Sequence, residues 1–334
     1  MAFGGVPATG GAFAGGGAVG TGGATSASGG MSGSGGYSGN DQAGGMGGAS
    51  TGSGGSSASN IPAGAFLSVS VVDSMEAGTL GYACGVRTDG TVACWGDNTY
   101  GEATPPAGTY TSVSVGSSAA CGLKTDGTIA CWGNNLSGEA TPPAGTYTSV
   151  SSGDHYACGI QANSSVTCWG DNTSGAAAPP AGVFTSISAG SQTACGVMAN
   201  RTVVCWGNND FSQASPPSGN FISVTVGNDV ACGIRTDGTV ACWGGSNDFN
   251  PGEATPPAGS FLSISAGPTA ACGVLSDGTV ACWGDSGGAY TAMAVPPAGT
   301  FSSVSAGGPF ACAVKSTDRS ITCWNLPDQT LGGY

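Results

Sequence analysis

The sequence predicts an all-β fold: a seven-bladed β-propeller with one cross-strand disulfide per blade, preceded by a disordered Gly/Ala/Ser-rich tail. Three observations carry that expectation. The first is a repeat. The fourteen cysteines fall in pairs at 84/94, 121/131, 158/168, 195/205, 232/242, 272/282 and 312/323, and the unit advances by 37 residues four times and then by 40 twice. The second is punctuation: all seven tryptophans directly follow the second cysteine of a pair, from Trp95 to Trp324. The third is period. Within each unit apolar residues alternate, with β-branched residues in excess, and nothing repeats at helical spacing. A fixed period of this size means a solenoid, a propeller or an array. An open solenoid needs atypical polar caps, yet the first and last copies still carry the cysteine pair and the Trp, so a closed ring is expected.

Each element follows from local chemistry. Residues 1–60 are almost entirely Gly, Ala, Ser and Thr with Asp41 as the one charge, as in "GGAFAGGGAVGTGGATSASGGMSGSGGYSGN". Such a stretch has too little apolar surface to offset its ordering entropy and reads as a flexible tether, roughly 40–45 Å end to end. Residues 61–334 form the propeller. In the second unit, "TYTSVSVG" (109–116) is the inner strand, "ACGLK" and "TIACWG" are the next two, and Thr125-Asp126-Gly127 joins them. "GNNLSGEATPPAG" (133–145) is a loop with room for a short outer fourth strand, which Pro142-Pro143 restricts to an edge. The segment "IPAGAF" (61–66) matches "PPAGTY" (105–110), so the chain near Ile61 is expected beside the last blade.

The hairpin places the cysteines. A three-residue loop at Thr88-Asp89-Gly90, with Gly in the left-handed position, sets Arg87 opposite Thr91, Val86 opposite Val92 and Cys84 opposite Cys94. Directly opposed residues of an antiparallel pair are close enough to bridge. Seven intrablade disulfides follow: Cys84–Cys94, Cys121–Cys131, Cys158–Cys168, Cys195–Cys205, Cys232–Cys242, Cys272–Cys282 and Cys312–Cys323. The last pair is eleven apart and calls for one extra loop residue or a bulge. In the chain-entropy view each short loop is worth about 3 kcal/mol. Reduced core cysteines and a metal site are the weaker readings, because zinc ligands typically pair two to four residues apart. The tryptophans read as packing against the neighbouring sheet or the disulfide.

"CWGDNTYGEATPP" followed by "SVSVGSSAACGL" resembles the repeat of the regulator of chromosome condensation (RCC1) family, whose pattern runs Trp-Gly-x-Asn-x-x-Gly-Gln, a strand, then Gly-x-x-His-x-x-Ala-Leu. The resemblance covers residues 61–334 and is closer to the secreted bacterial branch, which includes a β-lactamase inhibitor protein, than to the eukaryotic member. It implies a seven-bladed propeller used mostly as a protein-binding surface. Two departures matter: cysteine replaces a small residue in two strands of every blade, and the histidine of the pattern survives only as His155, after Gly153. The nucleotide-exchange and chromatin-binding activities of the eukaryotic member are therefore not carried over.

Charge sorts by face. The net charge is −13, from six Lys plus Arg against nineteen Asp plus Glu, which disfavours nucleic acid as a partner. The loops expected on one face hold twelve acids and no base: Asp73, Glu76, Asp97, Glu102, Glu139, Asp154, Asp171, Asp210, Asp229, Asp248, Glu253 and Asp285. The hairpins on the other hold Asp89, Asp126, Asp237, Asp277 and Asp318 with all six bases, Arg87, Lys124, Arg201, Arg235, Lys315 and Arg319. Length variation falls on the acidic side too, bringing Met75, Phe249, Tyr290 and Met293. The expected binding residues are Asp73, Met75, Glu76, Asp248, Phe249, Glu253, Asp285, Tyr290 and Met293.

The function expected is a non-enzymatic, monomeric interaction scaffold on a tether, with a protein partner of basic surface at the acidic loop face. The alternatives are a propeller binding carbohydrate or Ca²⁺, for instance at Asp97-Asn98 and Asp171-Asn172, and, behind it, a glycan-active enzyme. Those loops lack the spacing of a calcium loop, and one histidine with two lysines offers no catalytic triad. No cofactor is implied. No apolar run is long enough to span a membrane. Seven disulfides imply an oxidising compartment: extracellular, periplasmic or cell-surface. A signal or lipid anchor is not present in this chain.

Overall fold

Alternating strands with a Gly-marked hairpin at fixed spacing should make small antiparallel sheets, and they do. A computed structural model describes residues 61–72, 81–245, 255–268, 270–284, 295–308 and 310–325. Blade one is β1 (Phe66–Val72), β2 (Tyr82–Arg87) and β3 (Val92–Gly96); blade two is β4 (Tyr110–Val115), β5 (Ala119–Lys124) and β6 (Ile129–Gly133). Blade three is β7 (Tyr147–Ser152), β8 (Tyr156–Gln161) and β9 (Val166–Gly170); blade four is β10 (Phe184–Ala189), β11 (Thr193–Met198) and β12 (Val203–Gly207). Blade five is β13 (Phe221–Val226), β14 (Val230–Arg235) and β15 (Val240–Gly244); blade six is β16 (Phe261–Ala266), β17 (Ala270–Leu275) and β18 (Val280–Gly284). Blade seven is β19 (Phe301–Ala306), β20 (Ala311–Lys315) and β21 (Ile321–Trp324). Each blade is one three-stranded antiparallel sheet in chain order, and the protein is a seven-bladed β-propeller.

The hairpin register is the one the spacing predicts: Val86 pairs with Val92 and Cys84 with Cys94, and Arg87 N–H donates to Thr91 O at 2.8 Å. All seven disulfides form within blades, with Cα atoms 4.0 Å apart, and no cysteine is free. In blade seven the closing hydrogen bond runs from Lys315 N–H to Ser320 O, one residue longer than elsewhere, which absorbs the eleven-residue spacing. In the turns, Asp89, Asp126, Asp237 and Asp277 each accept the backbone N–H and the hydroxyl of the Thr two residues on. These bonds hold all four carboxyls below the usual carboxylate range.

Among the described residues the short fourth strand does not form. The segments after β3, β6, β9 and β12 are turns. Two causes act together. Consecutive prolines remove two ladder donors. In addition, Asn135 Oδ1 accepts the Ala140 N–H at 2.9 Å and Asn135 Nδ2 donates to Thr141 Oγ1 at 3.0 Å, which folds the loop onto itself. Asn98 and Asn209 do the same in their blades.

Packing explains the other constants of the repeat. The aromatic opening each inner strand lies across the glycine of the middle strand: a Cβ on Gly122 would sit 2.5 Å from Tyr110 Cδ1. The same ring meets the Trp edge-on, as in Tyr110–Trp132 at 6.2 Å between centroids, and blades one to six all show the pair. Blade seven carries Ala313 in place of that glycine. The Trp also ties blades together. Trp132 Nε1–H donates to Glu102 O and Trp169 Nε1–H to Glu139 O, each in the loop that leaves the preceding blade.

The ring closes through side chains. An inner strand has one unpaired edge, and its N–H groups need acceptors. Each finds a hydroxyl on the preceding blade. Val115 N–H donates to Ser70 Oγ, Ser152 to Ser114, Ala189 to Ser151, Val226 to Ser188, Ala266 to Thr225, Ala306 to Ser265 and Val71 to Ser305, all at 2.9–3.2 Å. The last bond joins blade seven to blade one. Phe66 N–H donates to Arg319 O at 2.8 Å, and Ile61 and Phe66 pack with Phe310, Cys312, Ile321 and Cys323. The "IPAGAF" segment thus sits against the last blade, as its match to the interblade element predicts.

Candidate functional site

Antiparallel order puts the loop after each inner strand and the loop after each outer strand at one end of the ring. There the inner strands run into a narrow collar. Gly116, Gly153, Gly190 and Gly227 each abut the next blade so closely that a Cβ on Gly116 would lie 2.1 Å from Gly153 O. Blade one alone places a side chain at this register, Val72. Above the collar lies a cavity of about 260 Å³ to which all seven inner strands contribute, through Val71, Val115, Ser152, Ala189, Val226, Ala266 and Ala306.

The charge in this cup is on one side. Asp97, Glu102 and Asp154 line it from blades one and three, with His155 beside them; blades five to seven contribute Asn228, Pro268 and Gly307. Glu102 is 2% exposed and its Oε2 accepts the Tyr100 N–H at 2.7 Å. Burial, and behind it the charge of Asp97, pushes its carboxyl above the usual range. Asp154 Oδ1 accepts a short hydrogen bond from Ser117 Oγ and lies 3.4 Å from His155 Nε2. Ser118 also lines the cup, is 8% exposed, and its Oγ has no hydrogen-bond partner.

The same loop position recurs in the next three blades with varying chemistry. In blade four Gln213 is buried, accepts the Phe211 N–H at 2.9 Å through Oε1 and donates Nε2–H to Asn208 Oδ1 at 3.0 Å. In blade two it is Glu139, 1% exposed. Its Oε2 accepts the Ser137 N–H, but Oε1 is buried without a partner, and His155 Nδ1 stands off at 3.8 Å. Blade three has Ala176. Asp229, at the blade-five register of His155, has its carboxyl pushed up by burial.

Of the twelve acids assigned to this face, Asp97, Glu102, Glu139, Asp154, Asp171, Asp210 and Asp229 are described, and all lie in loops at this end of their sheets. The six bases lie at the hairpin end. The nine residues expected to bind a partner, Asp73, Met75, Glu76, Asp248, Phe249, Glu253, Asp285, Tyr290 and Met293, lie outside the described residues. His155, which reads as an ordinary loop residue, sits at the cup with 42% of its side chain exposed and φ of 58°. Ser118 gave no sequence signal. The buried Glu/Gln position did: it falls on the Gln of the family pattern in every copy that keeps it.

Among the described residues no group of three or more His, Cys, Asp or Glu side chains could hold a metal ion. No helix there is long and apolar enough to cross a membrane. The family model for the regulator of chromosome condensation (RCC1) repeat matches residues 72–102, 110–139 and 184–213. The chain belongs to the RCC1 repeat family. Among solved structures this RCC1-repeat chain is similar to the ectodomain of the Physcomitrella patens receptor kinase CR4 (31% identity, 79% of this chain and 75% of that one, TM-score 0.65). It is similar too to the CRINKLY WD40 ectodomain of the Arabidopsis thaliana receptor kinase ACR4 (28%, 79% and 96%, TM-score 0.65). Prp20p of Saccharomyces cerevisiae, described with binding properties to Gsp1p and histones, shares the fold at 14% identity (74% and 82%, TM-score 0.62). No curated protein matches the sequence.

Proposed function

We propose that this RCC1-repeat propeller is a non-enzymatic extracellular interaction module, carried on the Gly-rich tether, that binds a protein with a basic surface at the loop end around the cup. The observation that carries the reading is the division of charge: seven described acids and no base at one end, and all six bases with five acids at the other. A field of that sign speeds encounter with a cationic surface and weakens with salt. Location outside the cell is supported by seven disulfides, one per blade, and by the two receptor-kinase ectodomains of similar structure. The Ca²⁺ alternative is weakened at Asp97. Its Oδ1 already accepts the N–H groups of Asn98 and Thr99 and the Thr99 hydroxyl.

The test is kinetic. A partner captured from the native cell envelope is bound to the full chain at about 50 mM and about 150 mM salt, across which screening shortens noticeably. The on-rate falls with salt, and Asp171→Asn with Asp210→Asn lowers it at low salt, while Arg87→Gln with Arg235→Gln does not. An on-rate indifferent to salt, or one that falls only with the arginine changes, refutes the reading. A glycan array and a Ca²⁺ titration decide for the alternative.

A further inference from the structure

The cup has a chemistry more specific than negative charge. Three carboxylates stand on one side with the His155 imidazole beside Asp154, and the remainder of the wall is aliphatic, amide and hydroxyl, without Lys or Arg among the lining residues. Glu102 is buried, and burial with the charge of Asp97 behind it raises the cost of ionising it. A cation in the cup would relieve that cost. Ser118 Oγ supplies an independent sign: a hydroxyl more than nine-tenths buried, lining the cup, with nothing to bond to. Buried polar groups are rarely left so. Tyr100, half exposed at the rim, offers a ring face.

Resting on the reading above, we propose that the cup receives a single lysine or arginine side chain of the protein partner. Its charged head lies toward Glu102 and Asp154 and takes Ser118 as a hydrogen-bond partner; its methylene stem lies against Val71, Val115 and Val226. A volume of about 260 Å³ admits one such side chain and excludes a folded element. The tether cannot supply the group, because residues 1–60 contain neither Lys nor Arg.

The probe is N-acetyl-lysine-N′-methylamide, titrated into the full chain and followed by amide chemical shifts. The neutral isostere N-acetyl-norleucine-N′-methylamide and the free diamine putrescine run beside it. The lysine probe moves Ser118 and Asp154 resonances and saturates, while the norleucine probe does not. Ser118→Ala and Asp154→Asn each weaken it by about 10-fold, the range of a hydrogen bond to a charged group. Asp237→Asn, in a hairpin at the other end, leaves it unchanged. Ser118→Ala removes no bond made in the fold, so its effect reads the site alone. Norleucine binding equally well, Ser118→Ala without effect, or Ca²⁺ taking the same residues in preference overturns the proposal. Putrescine binding more tightly than the lysine probe overturns the assignment to a partner side chain. This titration needs no partner. A cup that binds lysine with salt-independent partner kinetics would retire the charge-steering reading alone, and the reverse pattern would retire the cup alone.

Discussion

Glu139→Gln should stabilise the propeller, and blade four shows why. Glu139 and Gln213 occupy the same register two blades apart, followed 16 residues on by His155 and Asp229. Both accept the N–H two residues before them, at 2.8 and 2.9 Å. They differ at the second atom. Gln213 Nε2–H donates to Asn208 Oδ1, whereas Glu139 Oε1 is buried and unpartnered, with His155 Nδ1 at 3.8 Å, beyond hydrogen-bond reach. Asn134 Oδ1 stands where Asn208 Oδ1 does and already accepts the Leu136 N–H, as Asn208 accepts that of Asp210. An amide at 139 would complete the bond that blade four makes. A restored hydrogen bond is worth about 1 kcal/mol, and relief of an unpartnered buried oxygen about 1–3 kcal/mol. The net expectation is about 2 kcal/mol, or roughly 4–8 °C in Tm for a domain of this size. Urea unfolding at neutral pH, with disulfides intact, measures it. A variant less stable than the parent refutes the reasoning: the carboxylate would then be held by His155, and a cycle with His155→Asn would show the coupling.

Two more outcomes are expected. Glu102→Gln should gain over the parent as pH rises. Burial raises the Glu102 carboxyl, so its contribution to stability is present below the unfolded pKa and is lost as pH rises through the folded one. The difference between variant and parent therefore grows from about pH 4 to about pH 7 in denaturant titrations, and a difference that shrinks over that window contradicts it. Ser164→Gly and Arg201→Gly should each stabilise by about 0.5–1 kcal/mol, additively, because these residues hold φ of 68° and 70° where Gly90, Gly127, Gly238 and Gly278 hold 83–86° in the other hairpins. Thermal unfolding that shows a loss in either would mean the side chain makes a contact that outweighs the strain.

The framework was legible because the repeat makes one argument seven times. A separation of ten from Cys84 to Cys94 around a Gly-marked turn leaves a single register, and a matched segment at 61–66 leaves a single place for the chain to begin its ring. The fourth strand was over-read. An outer segment with alternating potential looks like an edge strand until Asn135 is seen to occupy the donors that a ladder would need. The hydroxyl ring was hidden in plain composition: Ser114 and Ser151 read as the polar half of an alternating strand, whereas their partners are N–H groups 38 residues later, a distance that no local pattern reports. The cup was missed for a related reason. Sequence reasoning went to the long insertions, but much of the cup is built from loops of three or four residues after the inner strands of blades two to seven, whose meaning appears only when they meet.

That meeting is also what makes the deviations informative. A ring of equal blades has a neutral axis: every hydroxyl, collar glycine and Trp bond is repeated, and a ligand on the axis would see the same wall all round. The wall here is not the same. Blade one gives Asp97, Glu102 and the one collar side chain, Val72; blade three gives Asp154 and His155; the opposite arc gives Asn228, Pro268 and Gly307. Symmetric packing needs none of these differences, since blade four closes the same joint with the amide of Gln213, bonded to Asn208, in place of a buried carboxylate. Glu102, which lines the cup, is a buried carboxyl pushed above the usual range where an amide would serve, and its substitution is designed to read that cost. A buried carboxylate placed among the lining residues of one arc is the pattern expected of a surface shaped by what enters it off the axis rather than by the demands of the ring.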